Sequence, residues 1–226
     1  PAPLTGETTT ITGQAYGNGV YQVSQSSVFN NDYQGYRALN LNLGGEGWNS
    51  AVDTFDTSSP YSANVNTFNT GSTSFNAEYM TIEFPEKIQV HNYSVYGRSD
   101  VQGQNPKDFT LYGSNDNANW TSISSVTDED NWEQQRNGYI GTYQTTDPGF
   151  YKYYAFVVTK IYGDNSTQVF VTELQLFGLP STDKLYRFPP RALTANVDTV
   201  TGEAYGNGVY EVEASVEANI YKGNKA

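Results

Sequence analysis

Apolar and polar positions along this chain alternate in short runs, and nothing sustains the i, i+3, i+4 apolar spacing of a helix. Val20–Val23 alternates, as does Tyr79-Met-Thr-Ile-Glu-Phe84, which is followed by a Pro-Glu pair that reads as a turn. Further strand runs are Ile88–Tyr96, Asp108–Tyr112, Trp120–Ile123, Tyr153–Thr159 and Val169–Phe177. Turn clusters rich in Gly, Asn, Asp and Ser separate them at 56–60, 113–119 and 162–167. Ala155-Phe-Val-Val158 is apolar on both faces, as a central strand requires. The pattern predicts an all-β protein with antiparallel strands in a sandwich or barrel.

One long region departs from it. Gly44–Asn76 is poor in aliphatic residues and rich in Ser, Thr, Asn and Gly, with spaced aromatics at Trp48, Phe55, Tyr61, Phe68 and Phe75. A segment of that length is expected either to carry function or to pack over a surface.

The chain also repeats itself. TGQAYGNGVYQV (Thr12–Val23) returns as TGEAYGNGVYEV (Thr201–Val212), with ten of the twelve positions identical and both changes Gln to Glu. At the same offset, 201 − 12 = 189, Leu4 meets Leu193 and Thr5 meets Thr194. The boundaries expected are a module over 1–178, a Pro-bounded linker over 179–189, and the first strands of a second copy over 190–226. So small a part of a module cannot bury a core by itself. The expectation is therefore a fragment of a longer tandem array, or a tail completed by another molecule.

Composition narrows the partners. The 226 residues carry 24 acidic and 12 basic side chains, a net charge of −12, too few clustered cations for nucleic acid or an anionic membrane. No apolar run approaches the length of a membrane-spanning helix. There is no cysteine, which removes disulfides, thiolate metal sites and thiol nucleophiles. The core must be aromatic and β-branched, because 19 Tyr, 11 Phe and 3 Trp stand beside a single Met.

NPKDFTLYGSNDNANWTSI (105–123), EYMTIEFPEKIQVHNYSVYGRSD (78–100) and YKYYAFVVTKIYGDNSTQVFVTELQLFG (151–178) together resemble the discoidin family, also called coagulation factor 5/8 C-type domains, and the kindred family 32 carbohydrate-binding modules. The resemblance spans about residues 12–178. It implies an eight-stranded antiparallel jelly-roll β-sandwich that binds glycans, lipids or proteins through loops at one end and does no catalysis. It also implies a calcium ion held by loop carbonyls, an early-loop Asp and the Glu of the closing motif. Here those two positions are Asn40 and Glu173. A neutral Asn40 in place of the carboxylate should weaken calcium, which prefers charge among its oxygen ligands.

Tandem openings of this kind also resemble those of extracellular adhesins and of virion-surface or fibre proteins. An extracellular or virion-surface location is expected on that ground. The partners expected are glycans or surface glycoproteins and neighbouring copies of the same module.

A sugar site needs an aromatic face for the C–H side of the ring and planar polar groups for the hydroxyls. By loop position the candidates are Trp48 with Asn49, Arg98 with Asp100, Trp132, Tyr139, and Asp164 with Asn165. Trp48 serves either ligand contact or core packing, and Arg98 either faces ligand or is tied to Asp100. Trp120 is assigned to packing. Enzymatic chemistry is not expected: His91 is the lone histidine, on a predicted strand, and Glu83, Glu86 and Asp128–Asp130 read as turn or loop carboxylates. The competing reading is a purely structural repeat whose C-terminal segment mediates contacts between modules or subunits.

Overall fold

The computed structural model describes residues 2–130, 138–146, 149–163, 166–181, 189, 191–202 and 207–213. They form two compact units, Pro1–Thr182 and Asp183–Ala226, each taken here by itself.

The first unit is an antiparallel sandwich. Its elements are β1 (Thr8–Ile11), β2 (Gly19–Gln25), β3 (Trp48–Asn49), β4 (Thr67–Asn69), β5 (Ser74–Asn76), β6 (Glu78–Tyr96), β7 (Pro106–Ser114), β8 (Trp120–Val126), β9 (Tyr139–Gln144), β10 (Tyr151–Ile161), β11 (Phe170–Val171) and β12 (Glu173–Pro180). The main sheet runs β1-β2-β6-β10-β7-β8, and β12 and β9 also pair with β6. β6 serves both layers: its first half pairs with β2 and β10, its second half with β12 and β9. This is the all-β sandwich expected. Ala155–Val158 is fully buried between β6 and β7, as its two apolar faces require.

Two sequence expectations are corrected. Pro85-Glu86 is not a turn, because β6 runs through it as one strand of 19 residues. Proline lacks an N–H, so it sits where the ladder can spare one. The β10 register shifts between Tyr151, opposite Ile88, and Tyr153, opposite Glu83, leaving Pro85 inside the irregular stretch. Gly19 allows the crossing: a Cβ there would lie 2.4 Å from the Pro85 Cβ, and its φ of +131° suits glycine. The expected strand Val169–Phe177 is instead broken at Thr172, whose N–H donates to the Tyr96 carbonyl and whose hydroxyl donates to the Gly97 carbonyl. The closing strand then runs to Pro180, two residues past the expected module end.

The core lies between the layers, with Trp48, Tyr93, Tyr154, Phe109, Phe156 and Leu111 essentially without solvent exposure. The long region 44–76 packs over the sheet rather than standing free. Its β4–β5 hairpin lays Phe68 against Tyr79, Tyr112 and Trp120 at ring separations of 5.0–5.6 Å. Trp120 packs there, as expected.

The second unit holds β13 (Val197–Val200) and β14 (Gly208–Glu211). They repeat β1 and β2 pair for pair: Thr8 faces Gln22 and Val197 faces Glu211, while Ile11 faces Gly19 and Val200 faces Gly208. Each number differs by 189. The flanking bond from the Val23 N–H to the Glu7 carbonyl returns as the Val212 N–H to the Asn196 carbonyl, both 2.7 Å. Where the Thr9 hydroxyl accepts the Thr5 N–H at 3.0 Å, the Asp198 carboxylate accepts the Thr194 N–H at 2.8 Å.

Candidate functional site

At one end of the first unit, loops from four parts of the chain converge around Arg98. Its own loop, 97–105, is clasped by Asn105, whose Oδ1 accepts the Arg98 N–H at 2.7 Å while its Nδ2 donates to the Arg98 carbonyl at 3.0 Å. The following loop is stitched on by the Tyr162 N–H to the Asn105 carbonyl and the Gly163 N–H to the Gly103 carbonyl. The Gly97 N–H donates to the Gly138 carbonyl, bringing the start of β9 alongside. From the early loop, the Phe29 N–H donates to the Asn49 carbonyl.

On this base the Arg98 guanidinium lies over the Phe170 ring, 5.0 Å from its centroid. Nε and Nη2 donate to Asp100 at 2.9 and 2.7 Å, and Nη1 donates to the Gln104 amide oxygen at 3.2 Å. Guanidinium has five N–H groups. Three are used among the described residues, leaving one on each terminal nitrogen for a further acceptor. The hydrogen bonds from Arg98 hold the Asp100 carboxyl below the usual carboxylate range, and the same bonds raise Arg98. Asp100 is 68% exposed, so its oxygens remain open to a ligand. Tyr33 meets Phe170 edge-on at 5.8 Å, and Phe29 meets Tyr33 at 5.9 Å. Phe29 is 48% exposed. A fixed planar polar pair thus stands beside an aromatic shelf that reaches solvent.

The expected residues fare unequally. Arg98 and Asp100 come together as an ion pair that also faces outward. Trp48 has no exposed face, its Nε1–H donates to the Ser27 carbonyl, and core packing is the role it takes. Asn49 is buried beside it with its Oδ1 unpartnered, so neither residue offers a surface to a sugar. Tyr139 lies opposite Tyr96 on β9, at the same end as Arg98. Trp132, Asp164 and Asn165 fall outside the described residues. Sequence reasoning missed Phe29 and Tyr33. The only signal was an aromatic pair in a polar loop, Phe29-Asn-Asn-Asp-Tyr33.

The second expected site brings the early loop onto Glu173, although not through the Asn40 side chain. Glu173 is fully buried, and the backbone N–H groups of Leu41 and Asn40 donate to it, Leu41 at 3.2 Å to Oε1. Oε2 has no partner. Burial pushes this carboxyl up to about 8. The Asn40 oxygen accepts the Asn42 N–H, and its amide donates to Glu46, which also pairs with Arg37. Of the two side chains the resemblance assigns to calcium, Glu173 has one oxygen without a partner, and the Asn40 oxygen accepts one hydrogen bond. Among the described residues no group of three or more Asp, Glu or His is placed to hold a metal.

Three of the carboxylates considered from sequence have partners in the fold. Glu83 is held by Lys152 at 2.7 Å, Asp128 faces Lys107 at 3.4 Å, and Glu129 accepts from the Tyr143 hydroxyl. His91 is exposed on β6.

Residues 55–180, more than half of the chain, match the Sad1/UNC-like C-terminal family. The chain belongs to that family. This Sad1/UNC-like domain has a discoidin-like galactose-binding fold, in agreement with the sequence resemblance. Among solved structures, a chitosan-binding module of a chitosanase/glucanase from Paenibacillus sp. matches at a TM-score of 0.50 and 16% identity, covering 70% of this chain and 93% of that one. A fragment from Bacteroides thetaiotaomicron matches at 0.51 and 14%, covering 71% and 89%. A family 32 carbohydrate-binding module from Clostridium perfringens, solved with galactose, gives 0.49 and 11%, covering 69% and 92%. At these identities the likeness is one of fold. No curated protein matches the sequence.

Proposed function

We propose that the first unit is a non-catalytic glycan-binding module that takes its ligand at the Arg98 end of the sandwich. The observation carrying this reading is the Arg98–Asp100 pair, with Arg98 over Phe170 beside Tyr33 and the exposed Phe29. Two free N–H groups and an exposed carboxylate can receive the vicinal hydroxyls of a pyranose, while an aromatic edge takes its C–H face. The pair is already ordered, so little conformational entropy is lost on binding. The Paenibacillus module of similar fold is described as chitosan-binding, which supports the same ligand class here. The setting proposed is an extracellular or virion-surface protein.

The test is titration of the intact chain with chitosan oligosaccharides, galactose and a glycan array, in calcium and in chelator. Arg98→Ala should lose binding at least tenfold while remaining folded. A well-folded chain that binds no glycan would overturn the reading.

One observation favours a second reading, that the protein is a structural repeat. The C-terminal hairpin reproduces the pairing of the N-terminal one to the residue. In the first unit β2 pairs with β6 through Gln22–Gln25. By the repeat, the sequence from Glu211 is suited to pair with a strand like β6 in a neighbouring module or subunit. Concentration-dependent association lost on removing 183–226 would support this second role.

A further inference from the structure

The second hairpin keeps a backbone feature for which its own described residues show no use. In the first unit Gly19 takes a φ of +131°, and a Cβ there would lie 2.4 Å from the Pro85 Cβ of β6. Gly208, at the same offset of 208 − 19 = 189, takes a φ of +150°. Among the described residues no atom lies within 4 Å of where its Cβ would be. The conformation that makes room for a proline in the adjoining strand is therefore kept where no such proline stands.

The side chains beyond it agree. Tyr21 and Val23 are 3% and 5% exposed, and Tyr21 meets the Phe84 ring of β6 at 5.6 Å. Their counterparts Tyr210 and Val212 are only half-buried. The hairpin is nevertheless held in shape, because Asp198 replaces Thr9 and accepts from both terminal nitrogens of Arg191 at 3.0 and 3.1 Å.

Charge says which strand would fit. Gln22 lies opposite Glu83 of β6, and Lys152 holds that carboxylate at 2.7 Å. On the same face Ser24 lies opposite Thr81, their hydroxyls 2.6 Å apart. At the matching positions the second copy has Glu211 and Glu213, both exposed. On a strand identical to β6, Glu211 would face Glu83, and like charges directly opposite destabilise a strand pair. A basic residue in the place of Glu83 would instead meet Glu211 directly and Glu213 on the diagonal.

We propose that the edge running from β14 to Glu213 docks a β6-like strand of a neighbouring module, one with a proline in the place of Pro85 and a lysine or arginine in the place of Glu83. This rests on the structural-repeat reading and adds to it the identity of the partner, which is a basic relative of β6 rather than β6 of an identical copy.

The experiment is anisotropy titration of the intact chain against two labelled peptides, one with the sequence of Glu78–Ile88 and one with the same sequence and Glu83→Lys. The lysine peptide should bind about fivefold tighter or more, and the gap should narrow as salt is raised. Glu211→Gln, an exposed change that restores the residue of the first copy, should remove most of that difference. Gly208→Ala should weaken both peptides, because its Cβ would meet the proline. Equal binding of the two peptides by the parent chain would overturn the inference and leave the structural-repeat reading standing. Binding of neither would overturn it as well, and whether the chain still associates through 183–226 then decides the reading beneath it.

Discussion

Glu78 opens β6 and Glu173 opens β12, and both are completely buried. Their surroundings are opposite. Glu78 receives the Ser26 and Ser27 hydroxyls at 2.6 and 2.5 Å on Oε2 and the Asn66 amide at 2.6 Å on Oε1. Glu173 has backbone donors on one oxygen and nothing on the other. Identical chemistry at identical burial thus meets two different sets of donors. Glu78 binds the early loop and the 44–76 region to the sheet, and both of its oxygens are used for that. Glu173 secures one loop and keeps one buried oxygen without a donor. A buried carboxylate with a complete donor set belongs to the fold, and one with an incomplete set points to something the fold does not supply.

The strongest way to break the comparison is Glu78→Ala. Three donors lose their acceptor, and the cost should be about 3–5 kcal/mol in chemical denaturation. If the loss were below about 1 kcal/mol, the joint would not be one.

Glu173→Gln should act in the other direction, and through pH. The folded carboxyl ionises near 8, well above its ordinary value of 4.5, so the unfolded chain releases this proton first. Stability from this group therefore falls as pH rises between 4.5 and 8, and levels off above that. The glutamine variant removes that fall, so its stability relative to the parent should be better at pH 8 than at pH 5, by on the order of 2 kcal/mol. Denaturation curves of both proteins at the two pH values, in chelator, check it. An unchanged difference would mean that Glu173 is not held protonated.

Arg98→Ala and Asp100→Asn should have the smallest effect on stability. Each should cost no more than about 1 kcal/mol, as for other pairs that reach solvent. The pair's effect is expected in binding, which should stay flat with pH above the ordinary carboxylate range because Asp100 is held ionised there.

How much of this was written in the sequence differs by feature. The strands were legible because β-branched and aromatic residues alternate along them and Gly, Asn and Asp mark the turns. The repeat carried further still: two copies of TG-AYGNGVY- specify one hairpin register, which both units show. The passage of β6 through Pro85 was hidden, because proline normally punctuates and only Gly19 on another strand makes room for it. At the Arg98 end the ion pair could be anticipated from a spacing of two residues. Phe29 and Tyr33 could not, since Phe29 meets Tyr33 and Tyr33 reaches Arg98 only through Phe170, a contact across 170 − 33 = 137 residues of chain. Trp48 was open to two roles until burial decided between them.

The account rests on the Arg98 surface, and the most direct test is glycan titration of the parent chain beside Arg98→Ala, with unfolding measured on the same samples. The account predicts saturable binding to at least one glycan by the parent, a loss of tenfold or more in the variant, and unfolding midpoints within a few degrees of each other. Equal binding by both proteins, or none by a folded parent, would contradict it.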